Sequence, residues 1–230
     1  MAIARNQLIE RLPRQERVSL LAVCETVQLT FGEVLCEPGE AARRVWFPVD
    51  GFISMVAPID GKPALEVGMV GREGMLGAQL GLGVDIEPLH AVVQGAGPAL
   101  SLSASAFREQ LTLSAALQRV VNQYLFVLMA QLTGSAACLR FHKIGPRLAR
   151  WLLMSQDRSH SDRLHVTHEF LAYMLGVRRV GVTTAASALQ RTGLIEYHRG
   201  EMTVLDRRGL EAAACDCYAS GSKAYADQFS

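Results

Sequence analysis

The chain has 230 residues, of which 50% are apolar and 20% charged, and its formal net charge is only +1. This composition excludes a disordered chain and supplies enough apolar side chains for packed cores, and the length suits two modest domains better than one large one. The sequence has no signal-peptide pattern and no apolar run near the ~20 residues of a membrane helix, so we expect a cytoplasmic protein with no membrane partner.

The N-terminal part of the chain is predicted to form short helices followed by many short strands. Leu8, Ile9 and Leu12 recur at helical spacing, and a second apolar stretch covers Val18–Val23. Short β-rich runs then alternate with turns, of which Asp60–Gly61 is the clearest hairpin turn. This pattern favours an antiparallel, jelly-roll-like β-roll. The predicted runs are Val27–Phe31, Val45–Phe47, Gly51–Pro58, Ala64–Val70, Ala91–Val93 and Ala99–Leu102.

A long amphipathic helix is predicted after Ser103, because glycine is absent from there to Thr133 and apolar residues recur at spacings of three and four. A long helix with an apolar stripe of coiled-coil spacing generally requires a partner, so we expect a homodimer through the helix at residues 113–138. The alternative is that the helix packs only on the β-domain of its own chain. The stripe consists of Leu113, Leu117, Val120, Tyr124, Val127, Leu128 and Gln131.

The long helix is predicted to break at Gly145–Pro146, where a new helix begins with proline at a favourable first-turn position. A polar loop is predicted over Ser155–Asp162, and a strand follows at Leu164–Val166. Thr167 then has the chemistry of a helix N-cap, and Glu169 in the first turn complements the helix dipole.

The segment at residues 166–189 has the pattern of two helices joined by a glycine turn at Gly176, and the second helix opens with two arginines. Two short strands follow within residues 193–205, around an Arg199–Gly200 turn. Together these elements predict a winged helix-turn-helix, a shape suited to placing a helix in the DNA major groove. The residues that pack the two helices together are Leu171, Leu175, Val177, Val182, Ala185 and Leu189.

The outer face of the second helix is predicted to contact DNA, because arginine reaches guanine bidentately and threonine contacts a thymine methyl or a phosphate. Side chains at the start of the first helix and at the wing tip are placed for phosphate contacts. His165 and His168 are spaced as H-x-x-H, but they lie in a predicted strand and a predicted helix with no third ligand near, which argues against a metal site. The predicted DNA-binding residues are Thr167, His168, Arg178, Arg179, Thr183, Thr184, Ser187 and Arg199.

The charge is distributed unevenly along the chain. Residues 139–210 carry 12 Lys and Arg against 6 Asp and Glu, whereas residues 1–138 carry 10 against 13 and residues 211–230 carry 1 against 3. The basic block is therefore the part that holds the predicted helix-turn-helix, as a DNA-binding surface requires. A merely solvated basic face is the alternative interpretation.

These features resemble the Crp/Fnr superfamily of bacterial transcription regulators. The matching segments are Gly39–Glu40 in an early turn, Gly51 after a strand, the hinge helix Gly145–Trp151, and Thr167–Leu205. The resemblance implies an α+β fold with a cyclic-nucleotide-binding-like sensor β-roll at residues 1–112, a dimerisation helix and hinge at 113–144, and a winged helix-turn-helix domain at 145–230. It also implies a homodimer on a palindromic site in double-stranded DNA, with RNA polymerase as a further partner.

The sensor domain departs from relatives that bind cyclic AMP. Ala78 stands where those relatives have a glutamate for the ribose, and Leu89 and His90 stand where they have arginine and serine. A buried cyclic phosphate without a cation is costly, so we expect no cyclic AMP binding in the usual manner, although a protonated His90 is a partial substitute. The effector is unknown. The candidate effector pocket comprises Gly77, Ala78, Gln79, Leu89 and His90.

The cysteines predict no metal site and no cofactor. Their odd number and irregular spacing argue against a disulfide framework. Cys215-x-Cys217 is a close pair that could bind a metal or respond to oxidants, but a structural zinc site requires a second pair. The resemblance to the oxygen-sensing branch would require clustered N-terminal cysteines, and no residue selects haem. The five cysteines, which we expect to be reduced, are Cys24, Cys36, Cys138, Cys215 and Cys217.

The predicted recognition helix also departs from the family. Many members have a base-reading glutamate and arginine where this chain has Val180 and Thr184, although Arg179 matches the arginine that precedes the glutamate. We therefore expect DNA binding but not the familiar target sequence. The alternative function is a small-molecule or nucleotide-binding module whose C-terminal domain mediates protein interaction. No nucleophile–base pair, metal set or phosphate loop indicates an enzyme or a catalytic residue.

Overall fold

The computed structural model describes residues 6–59 and 62–229. Contacts between residues divide the chain into two compact units. The first comprises Met1–Met55 and Met69–Met129, and the second comprises Val56–Gly68 and Ala130–Ser230. The predicted α+β class is confirmed, since strands dominate the first half and a helical segment with a small three-stranded sheet forms the second.

Among the residues that the structure describes, the N-terminal half contains seven strands between short and long helices. Its helices are Gln7–Glu10 (α1), Arg14–Ala22 (α2), Ala104–Leu113 (α3) and Ala115–Phe141 (α4), and a 3₁₀ turn covers Ala78–Leu82. Its strands are Glu25–Leu29 (β1), Val34–Cys36 (β2), Arg44–Pro48 (β3), Phe52–Ile59 (β4), Lys62–Val70 (β5), His90–Gly95 (β6) and Gly97–Ser103 (β7).

The strands form two sheets, in the orders β1-β7-β3 and β2-β6-β4-β5, and the β1–β7, β3–β7 and β2–β6 pairs are antiparallel. Alternate side chains are buried in β6 and in most of β7, whereas four consecutive residues of β3, Val45–Pro48, are all buried. Each predicted β run overlaps an observed strand, whereas the three-residue β2 was not predicted. The predicted Asp60–Gly61 turn lies outside the described residues.

The helix predicted after Ser103 is two helices, α3 and α4, with Ser114 between them. Ser114 has an extended backbone conformation, and its Oγ accepts a hydrogen bond from the Leu117 N–H at 2.9 Å. This side chain therefore caps α4. Ser114 ends one helix and caps the next, but the spacing of the apolar residues continues across it. The sequence pattern therefore does not reveal the break.

Four residues of the stripe that we predicted as a dimer seam are buried within its own chain and are not available to a partner, whereas Leu113, at the end of α3, is 72% exposed. Leu117, Val120, Tyr124 and Val127 are all buried. A Cβ atom on Gly74 would lie only 2.2 Å from the Tyr124 hydroxyl, which shows how closely α4 packs on the first unit. Hydrophobic periodicity identifies a stripe, but it does not say which molecule covers that stripe.

A second stripe of α4 is exposed and also follows coiled-coil spacing. Its apolar centre is Phe126 and Met129, which are 49% and 60% exposed. Because the spacing alternates between four and three residues, these side chains lie on one face of the helix. The exposed stripe consists of Ala115, Arg119, Asn122, Phe126, Met129, Thr133 and Ala136.

By length and composition, α4 is long and apolar enough to cross a membrane. Its most apolar window has a mean hydropathy of 1.3, and 17% of that window is buried. No membrane helix was expected from the sequence, because the longest continuous apolar run, near Tyr124–Ala130, is far shorter than the ~20 residues that a membrane helix needs. A single helix of this length and hydropathy is weak evidence for a membrane span.

The C-terminal half comprises helices around a small sheet of order β8-β10-β9. The chain runs from α5 through this small sheet to the helices α8 and α9. Its elements are Ile144–Ser159 (α5), Arg163–His165 (β8), His168–Leu175 (α6), Arg179–Arg191 (α7), Ile195–His198 (β9), Glu201–Val204 (β10), Arg207–Ala213 (α8) and Cys217–Phe229 (α9).

Helix α5 is longer at both ends than predicted. It begins at Ile144, so the break lies at residues 142–143 rather than at Gly145–Pro146, and Pro146 occupies the first turn, which needs no N–H donor. The predicted loop at Ser155–Asp162 is helical as far as Ser159. Gln156 and Arg158 are buried in this segment, and Gln156 Nε2 donates to Asp162 Oδ1 at 2.7 Å. The polar composition of this segment led to the wrong prediction of a loop.

Candidate nucleic-acid interface

The predicted helix-turn-helix is present as α6 and α7. Thr167 caps α6, since its Oγ1 accepts the Phe170 N–H at 3.1 Å. Gly176 ends α6 in the left-handed conformation, with φ +61°, and the next N–H, of Val177, donates to the Ala172 carbonyl at 3.0 Å. Both local signals were readable in the sequence because a cap and a glycine turn act within a few residues.

The inner face of α7 packs against α5 and α6. Val182, Ala185 and Leu189 are buried as predicted. Gly181 allows the close approach of α5, because a Cβ atom there would lie 2.6 Å from Ile144 Cδ1. The opposite face of α7 is consequently presented to solvent in a defined orientation.

The outer face of α7 carries the residues predicted to read DNA. Arg178, Arg179, Thr183, Thr184 and Ser187 are all exposed. The hydroxyls of Thr183 and Thr184 donate to the carbonyls one turn earlier, at 3.1 and 3.0 Å. Their protons are thereby occupied, so the threonines present methyl groups and oxygen lone pairs outwards.

The N-terminus of α7 is a second source of attraction for an anion. Arg178 occupies the N-cap position, and no side chain caps the first turn. Free backbone N–H groups and the positive end of the helix dipole therefore coincide with two arginine side chains. This combination is suited to binding a phosphate.

His168, the first residue of α6, contacts both α7 and the wing strand β9. Its Nδ1 lies 3.1 Å from Thr183 Oγ1 on α7, and its ring stacks on Tyr197 of β9 with centroids 4.3 Å apart. Burial, and then the charge of Arg179, lower the pKa of His168 below its usual value. Because the Thr183 hydroxyl donates to Arg179, it accepts from His168, which is consistent with a neutral ring.

This packing favours a bracing role for His168 over the phosphate contact that we predicted. A neutral, half-buried ring is a poor partner for a phosphate, whereas a ring held by Thr183 and Tyr197 fixes the angle between α7 and the wing. Tyr197 was missed in the sequence, because a single aromatic residue in a short strand carries no signal for a partner.

The wing is a two-residue hairpin. Arg199 and Gly200 both have positive φ, 49° and 89°, and His198 pairs with Glu201. Arg199 is exposed at the tip, where it was predicted to meet phosphate. His165 pairs with Glu201 rather than with His168, so the two histidines of the H-x-x-H spacing have different partners.

Val180 is a further residue of the outer face that the sequence analysis did not assign to DNA. It lies in the first turn of α7 and is 69% exposed, which is unusual for an aliphatic side chain beside two arginines. An exposed apolar group at this position is suited to contact the methyl group of a thymine. In the sequence, Val180 is recognisable as an apolar residue that lies outside the buried stripe of α7.

The candidate effector pocket lies in the first unit. Gly77 has φ +91° and begins the 3₁₀ turn, Ala78 is buried, and His90 Nδ1 lies 2.9 Å from Glu37 Oε2. Leu89 and Gln79 are half-buried. The turn and the start of β6 therefore belong to the same compact unit, and a carboxylate lies beside His90.

Glu87 makes this region acidic, and it was not predicted. Its side chain is only 4% exposed, and burial raises its pKa. Burial and the neighbouring Glu87 also raise the pKa of the Cys36 thiol. Glu40 holds the Glu87 backbone through a hydrogen bond of 2.9 Å. A carboxyl group therefore lies beside each of two predicted pocket residues, Gln79 and His90, where a cyclic phosphate would need a cation.

Comparisons with known proteins agree with this geometry. Residues 146–213 match the family model of the Crp-like helix-turn-helix domain. No curated protein matches the chain significantly. A transcriptional regulator of the Crp/Fnr family from Eubacterium rectale is similar in structure, with a TM-score of 0.69, 17% identity, and coverage of 90% of this chain and 97% of that chain.

Two further solved structures share the fold. FixK2 from Bradyrhizobium japonicum has a TM-score of 0.69, 14% identity, and coverage of 84% of this chain and 98% of that chain. The c-di-GMP responsive global regulator CLP of Xanthomonas campestris has a TM-score of 0.67, 19% identity, and coverage of 84% and 100%. The resemblance to the Crp/Fnr superfamily is thus confirmed: residues 146–213 form a Crp-like helix-turn-helix domain, and the chain has the fold of Crp/Fnr transcriptional regulators.

Proposed function

We propose that this protein is a transcription regulator that binds a palindromic DNA site as a homodimer. The observation that carries the proposal is the exposed outer face of α7, where Arg178 and Arg179 lie at an uncapped helix N-terminus. In this proposal, residues 1–112 sense an effector, 113–144 are the dimerisation helix and hinge, and 145–230 bind DNA. The chain works in the cytoplasm and contacts RNA polymerase.

The residues divide into base-reading and phosphate-binding groups. Arg179, Val180 and Thr184 face the bases, because they lie on the first turns of the helix that enters the major groove. Arg178, Thr183 and Ser187 flank them, and Arg199 extends from the wing towards the neighbouring phosphates. Thr167 stays engaged as the cap of α6, and His168 orients the motif from behind.

The exposed stripe of α4 supports the homodimer. Phe126 and Met129 form an apolar centre, with Asn122 and Thr133 one turn away on either side. Two copies of such a helix packed in parallel would bury this face and relate the two copies of α7 by a two-fold axis. Two-fold symmetry in turn matches two half-sites of a palindrome.

Selection of bound duplexes from a random DNA pool tests the proposed function. Purified protein without added ligand is expected to enrich a palindromic sequence, with affinity that falls steeply as the salt concentration rises, because phosphate contacts release counterions. Repeating the selection with cell extract distinguishes an inactive free form from a protein with no DNA role. No enrichment in either condition would contradict the proposal. Weak, salt-insensitive DNA binding together with tight ligand binding would favour a protein-interaction module instead.

Cyclic AMP is expected to leave the melting temperature unchanged at millimolar concentration. The acidic surroundings of Glu87 and Glu37 oppose a cyclic phosphate, and a ligand at 100 times its Kd would stabilise the fold by about 2.7 kcal/mol. Thermal unfolding with cyclic AMP, and with linear AMP as a control, provides the measurement. A saturable rise with cyclic AMP alone would show that the pocket accepts the ligand despite its charge.

A further inference from the structure

Four potential metal ligands from distant parts of the chain meet in the second unit. Cys138 lies in the last turn of α4 and His142 just beyond it, Cys215 lies between α8 and α9, and Cys217 begins α9. Their ligand atoms all lie within 4.8 Å of one another. The Sγ atoms of Cys138 and Cys215 are 3.5 Å apart, and Cys217 Sγ lies 3.5 Å from His142 Nδ1. Cys138 and His142 therefore supply the second ligand pair that Cys215-x-Cys217 lacks in the sequence.

We propose that this cluster binds one Zn²⁺ through three cysteine thiolates and one histidine. Tetrahedral zinc, with bonds of ~2.3 Å to sulfur and ~2.0–2.1 Å to nitrogen, separates two sulfurs by about 3.8 Å and a sulfur and a nitrogen by about 3.6 Å. The observed separations of 3.5 Å differ from these values by a few tenths of an ångström. Small side-chain rotations would therefore admit the ion without a change in the fold.

The chemistry of the ligands selects zinc among the common divalent cations. Thiolates and imidazole suit Zn²⁺, whereas Mg²⁺ and Ca²⁺ prefer oxygen ligands. Four protein ligands leave no open position for water or substrate, which is typical of a structural site and not of a catalytic one.

The surroundings compensate the charge of such a site. Zn²⁺ with three thiolates has a net charge of −1, which is costly to bury alone. Arg147, which is only 8% exposed, and Arg150 both interact electrostatically with Cys138, and Arg150 also with Cys217. Two cations beside the cluster therefore stabilise the charged form of the complex.

A disulfide explains the arrangement less completely. A disulfide has an S–S distance of about 2.0 Å and would join only two of the three cysteines. It would leave Cys217 and His142 together without a role, although their ligand atoms are as close to each other as those of Cys138 and Cys215. A zinc ion uses all four side chains, and it would tie the end of α4 to the start of α9.

The first test is metal content and coordination in the full-length protein, purified with a phosphine reductant. We expect about one zinc ion per chain by elemental mass spectrometry, and Co²⁺ substitution should give the visible d–d bands of tetrahedral coordination with thiolate charge-transfer bands. Absence of bound zinc, or Co²⁺ bands of an octahedral oxygen-ligated ion, would overturn the proposal. Because this measurement uses the wild-type chain, it does not depend on the stability of any variant.

Variants then assign the ligands. Cys217→Ser and His142→Ala are expected to reduce the zinc content well below that of the wild type and to weaken the Co²⁺ bands, whereas Cys24→Ser, a thiol in the first unit, should leave both unchanged. Chelation should lower the melting temperature of the wild type and of Cys24→Ser, but not of Cys217→Ser. Equal zinc content in all the variants, or a Cys138–Cys215 disulfide in a protein that binds no zinc, would contradict the assignment.

Discussion

Phe126→Glu is expected to convert the proposed dimer into a monomer and to lower affinity for a palindromic site by about 10²–10⁴-fold, since the second half-site contact is then no longer intramolecular. Phe126 is half exposed in the single chain, so glutamate is accommodated there in the monomer. In a dimer seam the same carboxylate would be buried against its own copy, which is strongly unfavourable. The stability of the monomeric fold should change little.

Analytical ultracentrifugation and fluorescence anisotropy with a selected duplex provide the two measurements. Leu82→Glu is a matched control, because Leu82 is also an exposed apolar residue but lies on the 3₁₀ turn. The control should remain dimeric and bind DNA normally. A Phe126→Glu protein that stays dimeric would place the seam elsewhere. A monomeric wild type that sediments with lipid vesicles would instead assign the apolar stripe of α4 to a membrane.

Arg179→Ala is expected to reduce affinity for the selected site by roughly 5- to 150-fold, the equivalent of the ~1–3 kcal/mol that a good base contact contributes. Affinity for random DNA should fall much less. The physical reason is that a bidentate contact to a guanine edge exists only on the correct sequence, whereas the loss of one phosphate contact affects every duplex alike.

Binding to the selected duplex and to a scrambled one, each across a range of salt concentrations, measures both effects. Arg191→Ala is the control on the same helix, since Arg191 is exposed in the last turn of α7, away from the two arginines at its start. Equal losses on the two duplexes for Arg179→Ala would make Arg179 a phosphate contact. In that case Val180 and Thr184 would be the next candidates for base reading.

The helix-turn-helix was predictable because its signals are local. The Thr167 cap, the Gly176 turn and the Arg199–Gly200 hairpin each depend on hydrogen bonds or φ values within a few residues. The buried stripe of α7 follows directly from its helical period. The residues predicted for the outer face of α7 are exposed, and Val180 lies exposed beside them although its apolar character did not suggest such a position.

Long-range packing accounts for the predictions that failed. Helix α4 has two stripes with coiled-coil spacing, and which of them the chain covers depends on contacts such as Tyr124 with Gly74, fifty residues away. The loop predicted at Ser155–Asp162 is helical as far as Ser159, and its buried residues Gln156 and Arg158 make hydrogen bonds that composition does not reveal. Glu87 was overlooked, since no sequence signal distinguishes a buried carboxylate from an exposed one.

The sequence by itself determined the order of the elements, the basic block at residues 139–210 and the outer face of α7, because capping, turn geometry, periodicity and charge act over short distances along the chain. Only the tertiary structure decided that His168 stacks on Tyr197, that Phe126 and Met129 are exposed, and that Cys138 and His142 meet Cys215 and Cys217. Cys138 and Cys215 are 77 residues apart in the sequence, and His142 and Cys217 are 75 residues apart. Whether they meet depends on how α4, α8 and α9 pack, which no local pattern encodes.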